Sequence, residues 1–166
     1  MRLLTLVRHA KSSWDHEGLS DFERPLNPRG RRDAPLMAER ARQWWGKPDR
    51  FVSSPALRAI TTAQVFAQHL GLDPQEIVLR PRIYEASSAR LLEVLQGCDD
   101  HDRQIMLFGH NPGLSQFAHE LARCDFEDLP TCGMAHLTLD LEHWHEARAG
   151  CGKLLRFSCP KEKLLD

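Results

Sequence analysis

Arg2-Leu3-Leu4-Thr5-Leu6-Val7-Arg8-His9-Ala10 is the stretch on which the reading of this 166-residue chain turns. Arg2 to Val7 is a short β-favouring run that ends in an adjacent cation and imidazole, and a polar stretch from Lys11 to Arg24 follows it. In parallel α/β sheets, ligands bind outside the carboxyl ends of the strands, so Arg8 and His9 stand where such a sheet does its chemistry. An Arg-His pair alone is equally the mark of a surface arginine beside a packed histidine. The remainder of the chain decides between the two.

Outward from this run, strands and helices alternate. Asn27 reads as a helix cap with Pro28 at the first helical position, and Met37, Ala41 and Trp44 share a face until Gly46 and Pro48 stop the helix. Trp44 and Trp45 then fall at its end, one toward the core and one at the rim. A strand over Arg50 to Ser53 is followed by a helix capped by Ser54 and opened by Pro55, in which Ala59, Ala63, Phe66 and Leu70 line one face before Gly71. Ile77 to Leu79 reads as strand, Ser88 to Gln96 as helix and Gln104 to Phe108 as strand, while Leu114, Phe117, Ala118, Leu121 and Ala122 mark a fourth helix. Parallel neighbours need crossover helices, so this order predicts an α/β fold, a three-layer α/β/α sandwich with a mostly parallel sheet. Ala135, Leu137, Leu139 and Leu141 then alternate, as do Leu155, Phe157 and Cys159. Period two with one polar face predicts edge or antiparallel strands that close the sheet. The length suits one domain over residues 1–166.

The strand-end pattern recurs. Phe108-Gly109-His110-Asn111-Pro112-Gly113 places His110 at the end of a later strand, with Asn111 as helix cap and Pro112 at the first helical position, so that the helix amides face an anion. Ser53-Ser54-Pro55-Ala56-Leu57-Arg58 supplies a third strand end and puts Arg58 in a first helical turn. Two imidazoles and two guanidiniums on one rim call for an anion to neutralise them. Guanidinium matches the fork of phosphate oxygens, and imidazole, with a reference pKa of ~6.5, serves as donor or nucleophile near neutrality.

Composition excludes other classes. Hydrophobic residues at 42% and charged residues at 27% fit a folded globular chain and argue against disorder, collagen or coiled coil. No run approaches the ~18 apolar residues of a membrane span, and Leu3 to Val7 is too short for a signal peptide, so a cytoplasmic protein with no membrane partner is expected. A net charge of −1 gives no support to nucleic-acid binding. Residues 1–60 carry +5 and residues 61–166 carry −6, which fits an anion site in the first part and equally a solvated basic face. Cys98, Cys124, Cys132, Cys151 and Cys159 are widely spaced with no CxxC pair and read as reduced thiols. His143-Trp144-His145, beside Glu142 and Glu146 and without a partner cysteine, reads as a polar loop or strand end rather than metal ligands. His136 belongs to no constellation. No metal and no cofactor is expected.

Several spaced motifs in order resemble the histidine phosphatase superfamily. Arg8-His9-Ala10-Lys11-Ser12-Ser13-Trp14 is similar to its nucleophile motif, with Ala10 where many members have glycine; Ser53-Ser54-Pro55-x-x-Arg58-Ala59-x-x-Thr62-Ala63 resembles the second motif and Gly109-His110 the third. Asp21-x-x-Arg24-Pro25-Leu26-Asn27-x-x-Gly30, Tyr84-Glu85-Ala86 and Thr131-x-Gly133-x-Ala135 are similar to the short SixA-type phosphohistidine phosphatases. The likeness runs from Arg2 to about Pro160, and it implies a phosphoglycerate mutase-like fold.

The resemblance implies roles. His9 is the nucleophile, and Arg8, Arg58 and His110 hold the phosphoryl oxygens and stabilise charge in transfer. Glu85, the carboxylate after the third strand, is the candidate proton donor, or else an ordinary solvated glutamate. Ser12 and Asn111 either bind phosphate or serve only as loop and cap residues. Arg24 either reaches the site or braces the loop. The long insertion and aromatic-Glu-Gly signature of phosphoglycerate mutases are missing, which turns the expectation away from a mutase and toward a shallow site open to macromolecules. The expected activity is a metal-independent phosphatase acting on a phosphohistidine-containing protein, for instance a phosphotransfer domain, through a phosphohistidine enzyme intermediate. A small-molecule phosphomonoesterase and a non-catalytic phosphate-binding module are the alternatives; loss of His9 or Arg58 would favour the module, and both residues are present.

Overall fold

The computed structural model describes residues 1–162. Ten principal elements follow in order: β1 Arg2–Arg8, α1 Pro28–Trp45, β2 Arg50–Ser53, α2 Leu57–Leu70, β3 Val78–Leu79, α3 Ser88–Gln96, β4 Gln104–Gly109, α4 Gly113–Leu121, β5 Met134–Leu139 and β6 Gly152–Ser158. The strands form one sheet in the order β3-β2-β4-β1-β5-β6. β1, β4, β2 and β3 are parallel, and β5 and β6 are antiparallel additions beside β1. The expected α/β architecture with a mostly parallel sheet and an antiparallel closing pair is therefore what the chain forms.

Side-chain alternation along the central strands divides the core in two. Leu4 and Leu6 of β1 and Ile105 and Leu107 of β4 pack with Leu91, Leu95, Leu114 and Phe117 of α3 and α4. Val7 and Met106 and Phe108 turn the other way, onto Ala34, Met37, Ala41, Ala63 and Phe66 of α1 and α2. Both faces of the central strands β1 and β4 are dry, which is why these two read as nearly continuous apolar runs.

Local chemistry fixes the helix ends. Asn27 Oδ1 accepts the Gly30 amide at 2.8 Å with Pro28 at the first position, as its sequence predicts. Gly30 is obligatory for a second reason: a Cβ there would lie 2.1 Å from the Lys11 carbonyl oxygen, so only glycine lets α1 pack on the loop after β1. Gly113 plays the same part at α4, where a Cβ would lie 1.9 Å from the Ala86 carbonyl oxygen.

Three local expectations need correction. α2 begins at Leu57 with Ala56 as its cap position, so Ser54 is not the cap; its hydroxyl accepts the Ala56 amide at 3.2 Å in a turn ahead of the helix. α4 begins at Gly113 with Pro112 at the cap position, so Pro112 is not inside the helix, and Asn111 reaches forward to the Ser115 amide at 3.1 Å. The closing strands lack the simple polar face. His136 of β5 is buried under α1, and a register shift between His136 and Leu137 turns Leu154 onto the core while Leu155 is exposed.

Candidate active site

Sheet register assembles the site. β1 and β4 pair Arg8 with Gly109, and β2 and β4 pair Ser53 with Phe108, so the three strands end level. The next residues are His9, His110 and Ser54, and their amides extend the ladder: His9 N to Gly109 O at 3.1 Å and Ser54 N to Phe108 O at 3.0 Å. The two imidazole centroids lie 5.2 Å apart. His110 Nε2 meets Ser54 Oγ at 2.7 Å, which leaves its Nδ1 buried without a partner among the described residues. His9 Nδ1 faces the Ala10 carbonyl oxygen at 2.8 Å. A carbonyl only accepts, so Nδ1 carries the proton, and the lone pair of the neutral ring is on Nε2. Thr62 of α2 accepts the Ala10 amide at 3.0 Å and holds this turn against the helix that carries Arg58.

Arginines surround the two rings. Arg58 is buried in the first turn of α2, Arg24 is buried in the loop ahead of α1, and Arg8 is half-buried at the end of β1, where its Nη1 donates to Leu129 O at 3.0 Å. Burial, with His110, Arg58 and Arg8 pushing the same way, lowers the His9 imidazole to about 3 against the pull of its bond to Ala10. His110 falls to about 4 through burial and Arg58. Near pH 7 both rings are neutral, so the positive charge of the site does not reside on the imidazoles.

Residues 4–92 match the sequence pattern of the histidine phosphatase superfamily (branch 1). The chain belongs to this superfamily. It is 31% identical to the Mycobacterium tuberculosis protein Rv1276c over 165 residues, covering 93% of this chain and all of that one. It superposes on SixA from Agrobacterium tumefaciens with a TM-score of 0.79 and 28% identity, over 96% of this chain and 98% of that one. A mycobacterial glucosyl-3-phosphoglycerate phosphatase shares the fold at a TM-score of 0.68 and 17% identity, over 96% of this chain and all of that one. The chain is thus a histidine phosphatase superfamily member of SixA type with a phosphoglycerate mutase-like α/β fold.

In this histidine phosphatase, Arg8, His9, Ser12, Arg24, Arg58, Glu85, His110 and Asn111 all line one cavity of about 320 Å³. Their positions differ in kind. Arg24 both reaches the cavity and braces its loop, since Nη1 donates to Ser12 Oγ at 2.8 Å and to Ser13 O at 3.3 Å. Asn111 is committed to the scaffold: Oδ1 accepts the Ser115 amide and hydroxyl, and Nδ2 donates to Leu129 O at 2.9 Å, so one amide proton is left for a ligand. Glu85 sits on an exposed turn at φ +54°, and among the described residues nothing hydrogen-bonds its carboxylate.

The same cavity takes in Lys11, Trp14, Asp21 and Thr131, which the sequence reading left without a role. All four lie inside the quoted motifs, and motif membership is the only signal they offer. Among the described residues no group of three or more His, Cys, Asp or Glu side chains is placed to hold a metal. Trp144 is core, and His143 bonds Asp100 at 3.0 Å. No helix of the described residues is long and apolar enough to cross a membrane.

Proposed function

We propose that this phosphatase removes the phosphoryl group from a histidine of another protein through a covalent phosphohistidine on its own His9. The observation that carries the reading is the His9 ring, whose bond to Ala10 O leaves the lone pair on Nε2 among Arg8, Arg58 and His110. In the first step Nε2 attacks phosphorus, the bond to the substrate nitrogen breaks, and the substrate imidazole, already protonated on its other ring nitrogen near neutral pH, leaves as the neutral ring. In the second, water attacks the same phosphorus, the bond to Nε2 breaks, and inorganic phosphate and free His9 result. Arg8, Arg24 and Arg58 hold the oxygens, joined by the Ser12 hydroxyl and by His110 when Ser54 donates to its Nε2 and the proton is on Nδ1. None of these steps calls on a metal.

Two features favour a protein substrate with an imidazole leaving group. The Glu85 carboxylate is exposed and takes no hydrogen bond among the described residues, which suits a leaving group with a reference pKa of ~6.5 that needs little help from an acid. Trp14, which lines the cavity, is exposed, and Phe22 and Leu57, next to Asp21 and Arg58 in the sequence, are exposed with Leu19 in a separate groove; a folded partner such as a phosphotransfer domain would cover these apolar side chains. The cytoplasm fits five cysteines that are all free. One observation supports a small-molecule phosphomonoesterase instead: a cleft of about 370 Å³, lined by Glu85, Ser87, Pro112 and Gln116, adjoins the phosphate pocket and has room for a compact leaving group.

The test is a panel of a histidine-phosphorylated protein, phosphoserine and sugar phosphates, with rapid quench to trap a phosphoenzyme. The expected result is the highest kcat/KM on phosphohistidine with label on His9. A preference for a sugar phosphate selects the second reading, and absence of a phosphoenzyme removes the covalent mechanism.

A further inference from the structure

Arg58 of α2, Arg24 of the loop ahead of α1 and Tyr84 of the turn ahead of α3 converge on one carboxylate that the steps above do not use. Asp21 Oδ2 accepts from Arg58 Nη2 at 3.0 Å and from Tyr84 Oη at 2.5 Å, and Oδ1 accepts from Arg24 Nε at 3.1 Å. The main-chain carbonyl of Asp21 accepts from Arg58 Nη1 at 2.6 Å, so this residue fills the outer fork of Arg58 by itself. Arg24 is fixed from its other sides as well, by Ser12 and Ser13 and by the Trp14 ring 3.5 Å from its guanidinium carbon. Both arginines are buried, so their orientation is set by these partners rather than by solvent.

We propose that Asp21 is a positioning residue of the phosphoryl site: it holds one edge of Arg58 and one of Arg24, so that their remaining N–H groups meet the phosphoryl oxygens in a fixed geometry. The inference rests on the reading of the cavity as a phosphoryl-transfer site.

Two other roles for Asp21 fail on physical grounds. As a proton donor it would need a proton near neutral pH, but the bonds from Tyr84, Arg58 and Arg24 hold the carboxyl down at about 2. As a surface ion pair it would matter little, yet it joins segments 37 and 63 residues away to itself, and the Arg58 side chain it grips is almost wholly buried. A carboxylate also removes one positive charge from a site built for an anion. Simple attraction would therefore gain from its loss, whereas orientation would suffer.

That opposition gives the experiment. Asp21→Asn keeps the shape and one acceptor but loses the charge. It is assayed on a histidine-phosphorylated peptide and on p-nitrophenyl phosphate, with inhibition by inorganic phosphate and by orthovanadate, which becomes trigonal-bipyramidal on taking the nucleophile as a fifth ligand and so mimics transfer. The expected result is a kcat lower by about 10-fold or more on the substrates the wild type turns over, because misoriented donors fail in the transition state. KM should change by less than about 3-fold. Orthovanadate inhibition weakens in parallel with kcat, inhibition by inorganic phosphate holds or tightens, and the pH profile keeps its shape.

Tyr84→Phe removes one donor to Asp21 and leaves both arginines, and a smaller kcat loss with KM preserved is expected; it carries the test if Asp21→Asn does not fold. An unchanged kcat in the variants, equal weakening of both inhibitors, or loss of the alkaline limb of the pH profile overturns the positioning role. A wild-type protein inactive on both substrates and blind to orthovanadate overturns the phosphoryl-transfer reading itself.

Discussion

His9 and His136 are buried to a similar degree, with 7% and 3% of their surface exposed, and burial lowers both rings, to about 3 and about 4. One ends a parallel strand and the other lies within antiparallel β5. His136 Nδ1 shares a hydrogen bond with Thr5 Oγ1 at 2.6 Å, and its ring is stacked 3.7 Å from Trp45 at an interplanar angle of 19°. Its cross-strand neighbour Arg156 turns away to lie over Trp44. His9 has the opposite surroundings: a free Nε2, an open cavity, and guanidiniums from three segments of chain. A buried, weakly basic histidine is therefore no mark of a catalytic site. What separates the two rings is room for a substrate and a converging set of cations, both of which come from the level strand ends of the parallel half.

The largest effect should fall on this contrast. His9→Ala is expected to cost about 10⁴-fold or more in turnover and to abolish the trapped phosphoenzyme, because in the proposed mechanism the phosphoryl group passes through this ring. His136→Ala should leave kcat within about 3-fold. Comparable losses in the two variants, measured as initial rates on the same phosphohistidine substrate, would erase the distinction.

Within the parallel half, Glu85 divides substrates by leaving group. An alkoxide needs a proton as it departs, a service worth about 10²- to 10⁴-fold, so Glu85→Gln should cripple hydrolysis of phosphoserine. A departing imidazole needs little such help, and the same variant should lose less than about 10-fold on a phosphohistidine peptide. Equal losses in kcat/KM would mean that Glu85 is not the acid or that the leaving group is not what distinguishes the substrates.

The same contrast explains what was legible in the sequence. The alternation of elements, the Asn27–Pro28 helix start and the span Ser88–Gln96 are written in short-range pattern, and the structure forms them there. Arg8, His9, Arg58 and His110 are legible because each ends or follows a strand or opens a helix, and parallel strands end on one side. The local pattern shows only half of what Ser54 and Asn111 bind, since their second partners are remote: Ser54 Oγ meets His110 Nε2, 56 residues on, and Asn111 Nδ2 donates to Leu129 O, 18 residues on. Asp21 gives only a motif letter, since its grip on Arg58 and Tyr84 exists only once two loops and the start of α2 have met. His136 passed as a polar strand position because nothing in its neighbourhood announces that Trp45 will cover it.

The smallest expected effect is on stability against pH, and it tests whether His136 is held neutral as His9 is. Near pH 7 the ring is uncharged in the folded and the unfolded chain. As pH falls below the reference value of ~6.5 the unfolded chain takes up a proton and the folded one does not, so the unfolded state binds more protons. Stability fully present above that value is lost as pH falls toward about 4, the folded-state value of His136. Each such histidine contributes a slope of up to about 1.4 kcal/mol per pH unit. His9 and His110 contribute in the same direction, whereas Asp21, lowered to about 2, contributes only in more acidic solution. His136→Ala leaves the Thr5 hydroxyl unpaired and should cost about 1–3 kcal/mol at pH 7. It also removes one of the three histidine slopes, so its deficit against the wild type should shrink between pH 7 and pH 4.5. Urea unfolding of both proteins at pH 7, 5.5 and 4.5 measures this. A deficit that stays constant would show that His136 binds its proton in the folded protein as readily as in the unfolded chain, and the likeness between the two buried rings would end there.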